Sequence, residues 1–189
     1  QADLFRTRLG ARWFEAFGHG MLATVADLPE GTPARLCIDF DGLPENSWWI
    51  GSHGALQGSA ARLRLQGSQS LATHAVYLGG ELQVRERRVD GKPLFVALPP
   101  QAAFAASIDA VADRAAQLID AQRRFWREPG ADHQLLVLHP NHQAEGFGGT
   151  SVHQALVMHA AANLAVPGDL FDVLVTHEVL HRWFPDRFG

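Results

Sequence analysis

From Leu170 to Phe184 the chain offers almost nothing but apolar side chains: Leu170, Phe171, Val173, Leu174, Val175, Val179, Leu180, Trp183 and Phe184. No residue in this run breaks a helix, and Pro185 stops it. Asp169 stands at the expected N-cap, and Asp172 adds favourable negative charge to the first turn. A helix apolar nearly all round is a buried central one, so the rest of the chain has to build layers around it. Into this helix are set His177, Glu178 and His181. Burying three ionisable groups is costly unless they have a partner.

A zinc ion is the natural partner. His177 and His181 are four residues apart, which puts them one turn apart on one face, where both imidazoles can reach one metal at roughly 2.0–2.1 Å. Glu178 sits one step round the helix, placed to hydrogen-bond a metal-held water rather than the metal. Zinc lowers the pKa of such a water to about 7. A neighbouring carboxylate then serves as general base and passes the proton to a leaving amine. The pattern therefore points to peptide-bond hydrolysis with Zn2+ as cofactor, His177 and His181 as metal ligands and Glu178 as the catalytic base.

Around this helix the hydrophobic period changes once. Residues 1–100 read as a β-rich N-terminal domain, with candidate strands at Leu22–Val25, Arg35–Phe40, Thr73–Leu78, Leu82–Glu86 and Leu94–Leu98. The last two flank the turn Asp90-Gly91, and the spacing fits an antiparallel module. Pro99-Pro100 marks a boundary. Residues 101–189 form the second region. Ala103 to Arg127 follow helical spacing through Ile108, Val111, Ala115, Leu118, Ile119, Phe125 and Trp126, with Gln122 breaking the stripe. Gln134–Leu138 is a short buried strand. Gly146–Val152 is loop into strand, and Ser151–Leu164 fits either helix or strand. The class is α+β.

Composition excludes several functions. A formal net charge of −4 gives no basic footprint, so nucleic acid is not an expected partner. Cys37 is the only cysteine, which rules out an intrachain disulfide and a Cys-based zinc knuckle. No run of 18 or more apolar residues exists, so no membrane span is expected. The compartment is not determined. The first residue is Gln1 rather than Met, which allows a removed leader and favours a periplasmic or secreted location over the cytoplasm.

A catalytic zinc needs three protein ligands and an open position. One common design places a third His six residues after the second, following a Gly at the third. Those positions here hold Arg187 and Phe184. The remaining common design takes a carboxylate from a later helix. Asp186 is too close behind Pro185 to fold back, and neither Glu145 nor Asp172 has an expected route to the metal. The third ligand is therefore expected beyond Gly189, in a downstream part of the same polypeptide, with residues 1–189 inactive alone.

The stretch Thr176-His177-Glu178-Val179-Leu180-His181-Arg182-Trp183, with the upstream Gly146-Phe147-Gly148-Gly149, resembles the glycyl aminopeptidase-like family of gluzincin metallopeptidases, many of which carry a PDZ domain after the catalytic domain. Tyr77-Leu78-Gly79-Gly80 is more faintly similar to that family's β domain. The resemblance implies an N-terminal antiparallel β domain followed by the first part of a thermolysin-like α/β catalytic domain. It also implies a peptide or protein substrate paired to an edge strand in β-augmentation, with Gly148, Gly149 and Thr150 as substrate-binding residues. One departure bears on mode. The family places a Glu-His or Glu-Asn pair just after the glycines, and that Glu holds the substrate's free amine. Here Thr150-Ser151-Val152-His153-Gln154 contains no acid, which leaves both endopeptidase and exopeptidase open.

The bland readings stand beside these. A catalytically inactive peptide-binding protein on a peptidase fold would keep the same helix, and a structural zinc site would close with four protein ligands. Loop histidines are mostly solvated, so His133, His139, His142 and His159 are not expected to form a second metal site, and His153 reads as a surface or core residue. Trp13, Trp48 and Trp49 read as packing in the β module, Trp183 as packing behind the zinc helix, and Arg85 to Arg88 as a solvated strand end.

Overall fold

The computed structural model describes residues 7–26, 28, 29, 31–102, 104, 106–127, 130–141, 147–161 and 166–181. It resolves into two compact units, residues 1–82 and 83–189. The division falls earlier than the Pro99-Pro100 break because the strands of residues 83–98 pair with the second unit.

In the first unit the elements are β1 (Arg8–Leu9), β2 (Trp13–Phe17), α1 (Gly18–Met21), β3 (Ala34–Phe40), β4 (Trp48–Gly51), β5 (Gly54–Gln57), β6 (Ala61–Gly67), α2 (Ser70–Thr73) and β7 (Val76–Gly80). Five strands form an antiparallel sheet in the order β1-β2-β7-β4-β5, and β3 pairs with β6 as a two-stranded ribbon. Along β3 and β6 half-buried and exposed residues alternate, as a ribbon with one covered face requires. The expected strand at Leu22–Val25 is absent, and Thr73 closes α2 rather than opening a strand. Trp49 packs in the core among Phe14 and Phe40, with its indole N–H donating to Gly58 O at 3.0 Å. Trp13 and Trp48 are half-buried.

The second unit runs β8 (Gln83–Val89), β9 (Lys92–Leu98), α3 (Ile108–Trp126), β10 (Gln134–Asn141), β11 (Phe147–Val152), β12 (Ala155–Ala161) and α4 (Asp169–Leu180). Asp90 and Gly91 connect β8 to β9 with φ of 52° and 74°, the two positive values that a two-residue hairpin of matching twist demands. The sheet order is β11-β12-β10-β9-β8, with β10 parallel to both β9 and β12 and the outer strands antiparallel. Of the stretch that fitted either helix or strand, the described residues 151–161 are strand and turn: β11 turns into β12 through His153 and Gln154, the latter at φ 52°, and residues 162–164 lie outside the described residues. Parallel pairing along β10 decides it, since a helix would leave the ladder groups of that strand unmet. β10 is buried on both faces, as expected of a continuous apolar strand at the centre of a sheet.

Both long helices pack on one sheet face. Ile108, Val111, Ala115 and Ile119 of α3 and Phe171, Val175 and Val179 of α4 share a core with Leu94, Val96, Leu136, Leu138, Leu156 and Met158. α3 begins later than expected, at Ile108, where the Ser107 side chain caps it by accepting from Ala110 N–H at 3.2 Å. Arg127 ends it in the left-handed conformation. The Arg85 to Arg88 cluster is not simply solvated. Arg85 pairs with Asp109, and Arg87 with Asp109 and Asp113, stitching β8 to α3. No helix among the described residues is long and apolar enough to cross a membrane.

Candidate metal centre

Helix α4 starts one residue earlier than its acidic residues suggest. Gly168 is the N-cap, with its carbonyl accepting the first helical bond from Asp172 N–H at 2.9 Å; Asp169 and Asp172 fall in the first turn. Asp172 does more than complement the helix dipole. Arg114 of α3 grips its carboxylate with Nε at 2.9 and 3.1 Å from the two oxygens, and Nη2 also reaches Oδ2.

Although apolar all round in sequence, α4 buries only one stripe. Phe171, Val175 and Val179, spaced four apart, are at most 1% exposed, whereas Leu170 and Val173 are 55% and 65% exposed. His177 and His181 continue that exposed side, while Glu178 is buried. The expectation that three ionisable groups are buried together is therefore corrected: one is enclosed, and two stand at the surface. A hydropathy pattern with no polar face carries no information on which face is covered.

The geometry of the three is compact. His177 Nε2 and His181 Nε2 face each other at 3.2 Å, with the rings near perpendicular at 89°. Two nitrogens each about 2.0–2.1 Å from one tetrahedral ion stand roughly 3.3–3.4 Å apart, so the pair is spaced as two ligands of one metal. Ligand atoms of His177, Glu178 and His181 all lie within 4.8 Å of one another.

Glu178 leans against the sheet edge. β11 is the outermost strand, and a β-carbon at Gly149 would stand 3.3 Å from Cγ and Oε1 of Glu178. At Gly148 the space where a side chain would stand is filled by the ring of His159, on the neighbouring strand. Successive residues of a strand face opposite ways, so the two glycines let a helix carboxylate approach on one side and an imidazole on the other. Thr150 follows in the same strand, half-buried.

Solved structures similar in fold extend over nearly the whole of this chain. The crystal structure of an aminopeptidase N family protein from Idiomarina loihiensis matches 94% of this chain with a TM-score of 0.72 at 14% identity. The fold of this chain is similar to that of part of this neighbour. Aminopeptidase A from Legionella pneumophila, solved in complex with aspartic acid, matches 96% of the chain with a TM-score of 0.55 at 13% identity. The chain spans 31% and 23% of these two neighbours' lengths. No family model and no curated protein matches the sequence.

Other expected residues fall elsewhere. His133 and His139 are buried, His139 as part of β10, so they are core residues rather than solvated loop histidines. His153 lies half-buried in the turn between β11 and β12. Glu145, Gly146, His142, Trp183, Phe184, Pro185, Asp186 and Arg187 lie outside the described residues. A cavity of about 190 Å³ lies in the first unit among Phe40, Trp49, Ile50, His53, Tyr77 and Leu78, and none of His177, Glu178 and His181 lines it. Two contacts to α4 were not legible as such: the Arg114–Asp172 pair, and a hydrogen bond from Gln122 Nε2 to Thr176 O at 2.9 Å. The only signal for the second was a polar residue interrupting an apolar stripe.

Proposed function

We propose that this chain carries the catalytic helix of a zinc-dependent metallopeptidase. The observation that carries the proposal is the 3.2 Å approach of two imidazole nitrogens one helical turn apart, with an enclosed carboxylate beside them against an edge strand. The aminopeptidase fold supports it.

His177 Nε2 and His181 Nε2 would hold the metal. Zinc bound there would supply Lewis-acid chemistry and bring the pKa of a water in its open position to about 7. Glu178, one residue along and enclosed, would accept a proton from the attacking water on a carboxylate oxygen and hand it to the departing amine nitrogen. Enclosure beside Gly149 keeps that carboxylate fixed relative to the edge strand. The outer edge of β11 would pair with an extended substrate backbone, with Gly148, Gly149 and Thr150 lining it. Glu178 serving as base leaves a third ligand to be supplied, and we place it as a carboxylate in polypeptide following Gly189. The closer likeness to glycyl aminopeptidases and the companion PDZ domain rest on residues 176–183 and 146–149 alone, and belong to the same proposal.

The test is cleavage of a mixed peptide pool by the whole polypeptide beside its Glu178→Gln variant, with products read by mass. Cleavage that vanishes in the variant supports the proposal, and the product ends distinguish endopeptidase from exopeptidase. A wild type as inert as the variant across the pool would make a peptide-binding role on a peptidase fold the better account.

A further inference from the structure

Gln122 occupies a position where the pattern of α3 calls for an apolar side chain. Val111, Ala115 and Ile119 precede it on the buried stripe, and Gln122 is itself buried. Its amide is only half satisfied. Nε2 donates to Thr176 O at 2.9 Å, while Oε1 is enclosed and meets no hydrogen-bond partner among the described residues. Burying an amide with one end unmet works against stability, and an apolar residue of similar shape would avoid it. Such local rule-breaking concentrates where function asks for it.

The single bond that Gln122 makes lands on the carbonyl directly before His177 and two residues before Glu178. Thr176 lies inside α4, where its carbonyl already faces the N–H of Leu180 in helical geometry, so the bond is not needed to satisfy the helix. What it adds is direction. Phe171, Val175 and Val179 hold α4 to the sheet by apolar contact, which tolerates small rotations and slides. A hydrogen bond from a side chain anchored on α3 does not. Arg114, also on α3, grips Asp172 one turn earlier. Together the two ties hold neighbouring turns of α4 to one partner helix.

We infer that Gln122 is a positioning residue for the metal helix, setting the rotation of α4 that aims the His177–His181 pair and brings Glu178 to Gly149. The inference rests on the metallopeptidase reading above, with zinc as the ion held.

The test is cobalt(II) binding to the whole polypeptide, wild type against Gln122→Met, which keeps length and volume but removes the donor. Affinity is read by competition with a chelator, ligand geometry by the visible band of the bound cobalt, and folding by thermal unfolding. The expected result is a melting temperature unchanged or raised, an affinity lower by about tenfold, the scale at which outer hydrogen bonds tune metal sites, and a shifted cobalt band. Gln122→Asn, which keeps an amide too short to span the distance, should show the same loss of affinity and shifted band with a lower melting temperature, and serves if the Met variant does not fold. A folded Met or Asn variant with wild-type affinity and an unshifted band overturns the inference. That outcome is distinguishable from failure of the metal reading itself, in which the wild type takes up no cobalt that depends on His177 and His181, and both ideas fall together.

Discussion

Gly149 and Glu178 meet where the edge strand passes helix α4, so closely that a β-carbon at 149 would come 3.3 Å from Oε1. The backbone at Gly149 is not in the left-handed region, so alanine is conformationally permitted there and only the contact opposes it. Gly149→Ala is expected to leave stability nearly unchanged, because the lost freedom of the unfolded chain favours alanine by about 0.4–1 kcal/mol. Peptide hydrolysis should fall about tenfold, since a 1 Å misplacement at a reacting group costs on the order of a hundredfold. Steady-state kinetics beside a melting curve check it, and wild-type turnover in the variant would show that Glu178 needs no such space.

His177 is exposed, and its Nε2 faces His181 Nε2 at 3.2 Å. Exposure makes it a residue whose removal the fold tolerates. His177→Ala is expected to keep the melting temperature of the metal-free protein and to weaken zinc binding by about a hundredfold or more, beyond the effect of losing an outer hydrogen bond. Calorimetric titration with zinc reads both proteins; equal affinity would move the metal away from this helix.

Burial holds the His53 imidazole below its ordinary pKa, against a smaller opposing effect of its hydrogen bond to Leu71 O at 2.8 Å. The unfolded state then takes up its proton first, near pH 6.5, so stability falls as the solution is acidified from about that pH down to the folded value and levels off below it. The first unit should melt at lower temperature as pH drops from about 8 to 5, and His53→Gln should flatten that slope. The Asp39 carboxylate is held below its ordinary value by Arg62, so its loss belongs to more acidic solution and does not overlap. An unchanged slope in His53→Gln would assign the effect to other histidines.

Tyr77 is the chain's only tyrosine, and burial pushes its phenol up to about 12, with the hydroxyl donating to Ala72 O at 3.0 Å. Phenolate absorbance therefore reports one group. Its rise should lag that of the denatured chain, which titrates near 10; coincident curves would mean that the first unit does not enclose Tyr77.

Arg114 and Asp172 join α3 to the first turn of α4, but Arg114 is 41% exposed in its side chain, so solvent screens the pair. A double-mutant cycle should return a coupling of about 0.5–1 kcal/mol that shrinks in high salt. Phe171→Ala should cost far more, about 3–5 kcal/mol, because that side chain is wholly enclosed.

Spacing and turn chemistry are local properties, and they were readable without a structure. The Asp90-Gly91 hairpin, the helix through Val111 and Ile119, the buried strand at Gln134 and the four-residue interval between His177 and His181 all follow from backbone periodicity. Which elements pair is not local. The strands of residues 83–98 joined the second unit rather than the first because β9 found β10, and residues 155–161 became a strand because the same β10 offered its other edge. Neither partnership leaves a mark within the segment itself. The face of α4 that is covered, the bond from Gln122 to Thr176, and the fit of Glu178 against Gly149 were likewise decided by tertiary packing. Each depends on the distance between residues far apart in the chain, and side-chain pattern along one helix holds no record of what is packed against it.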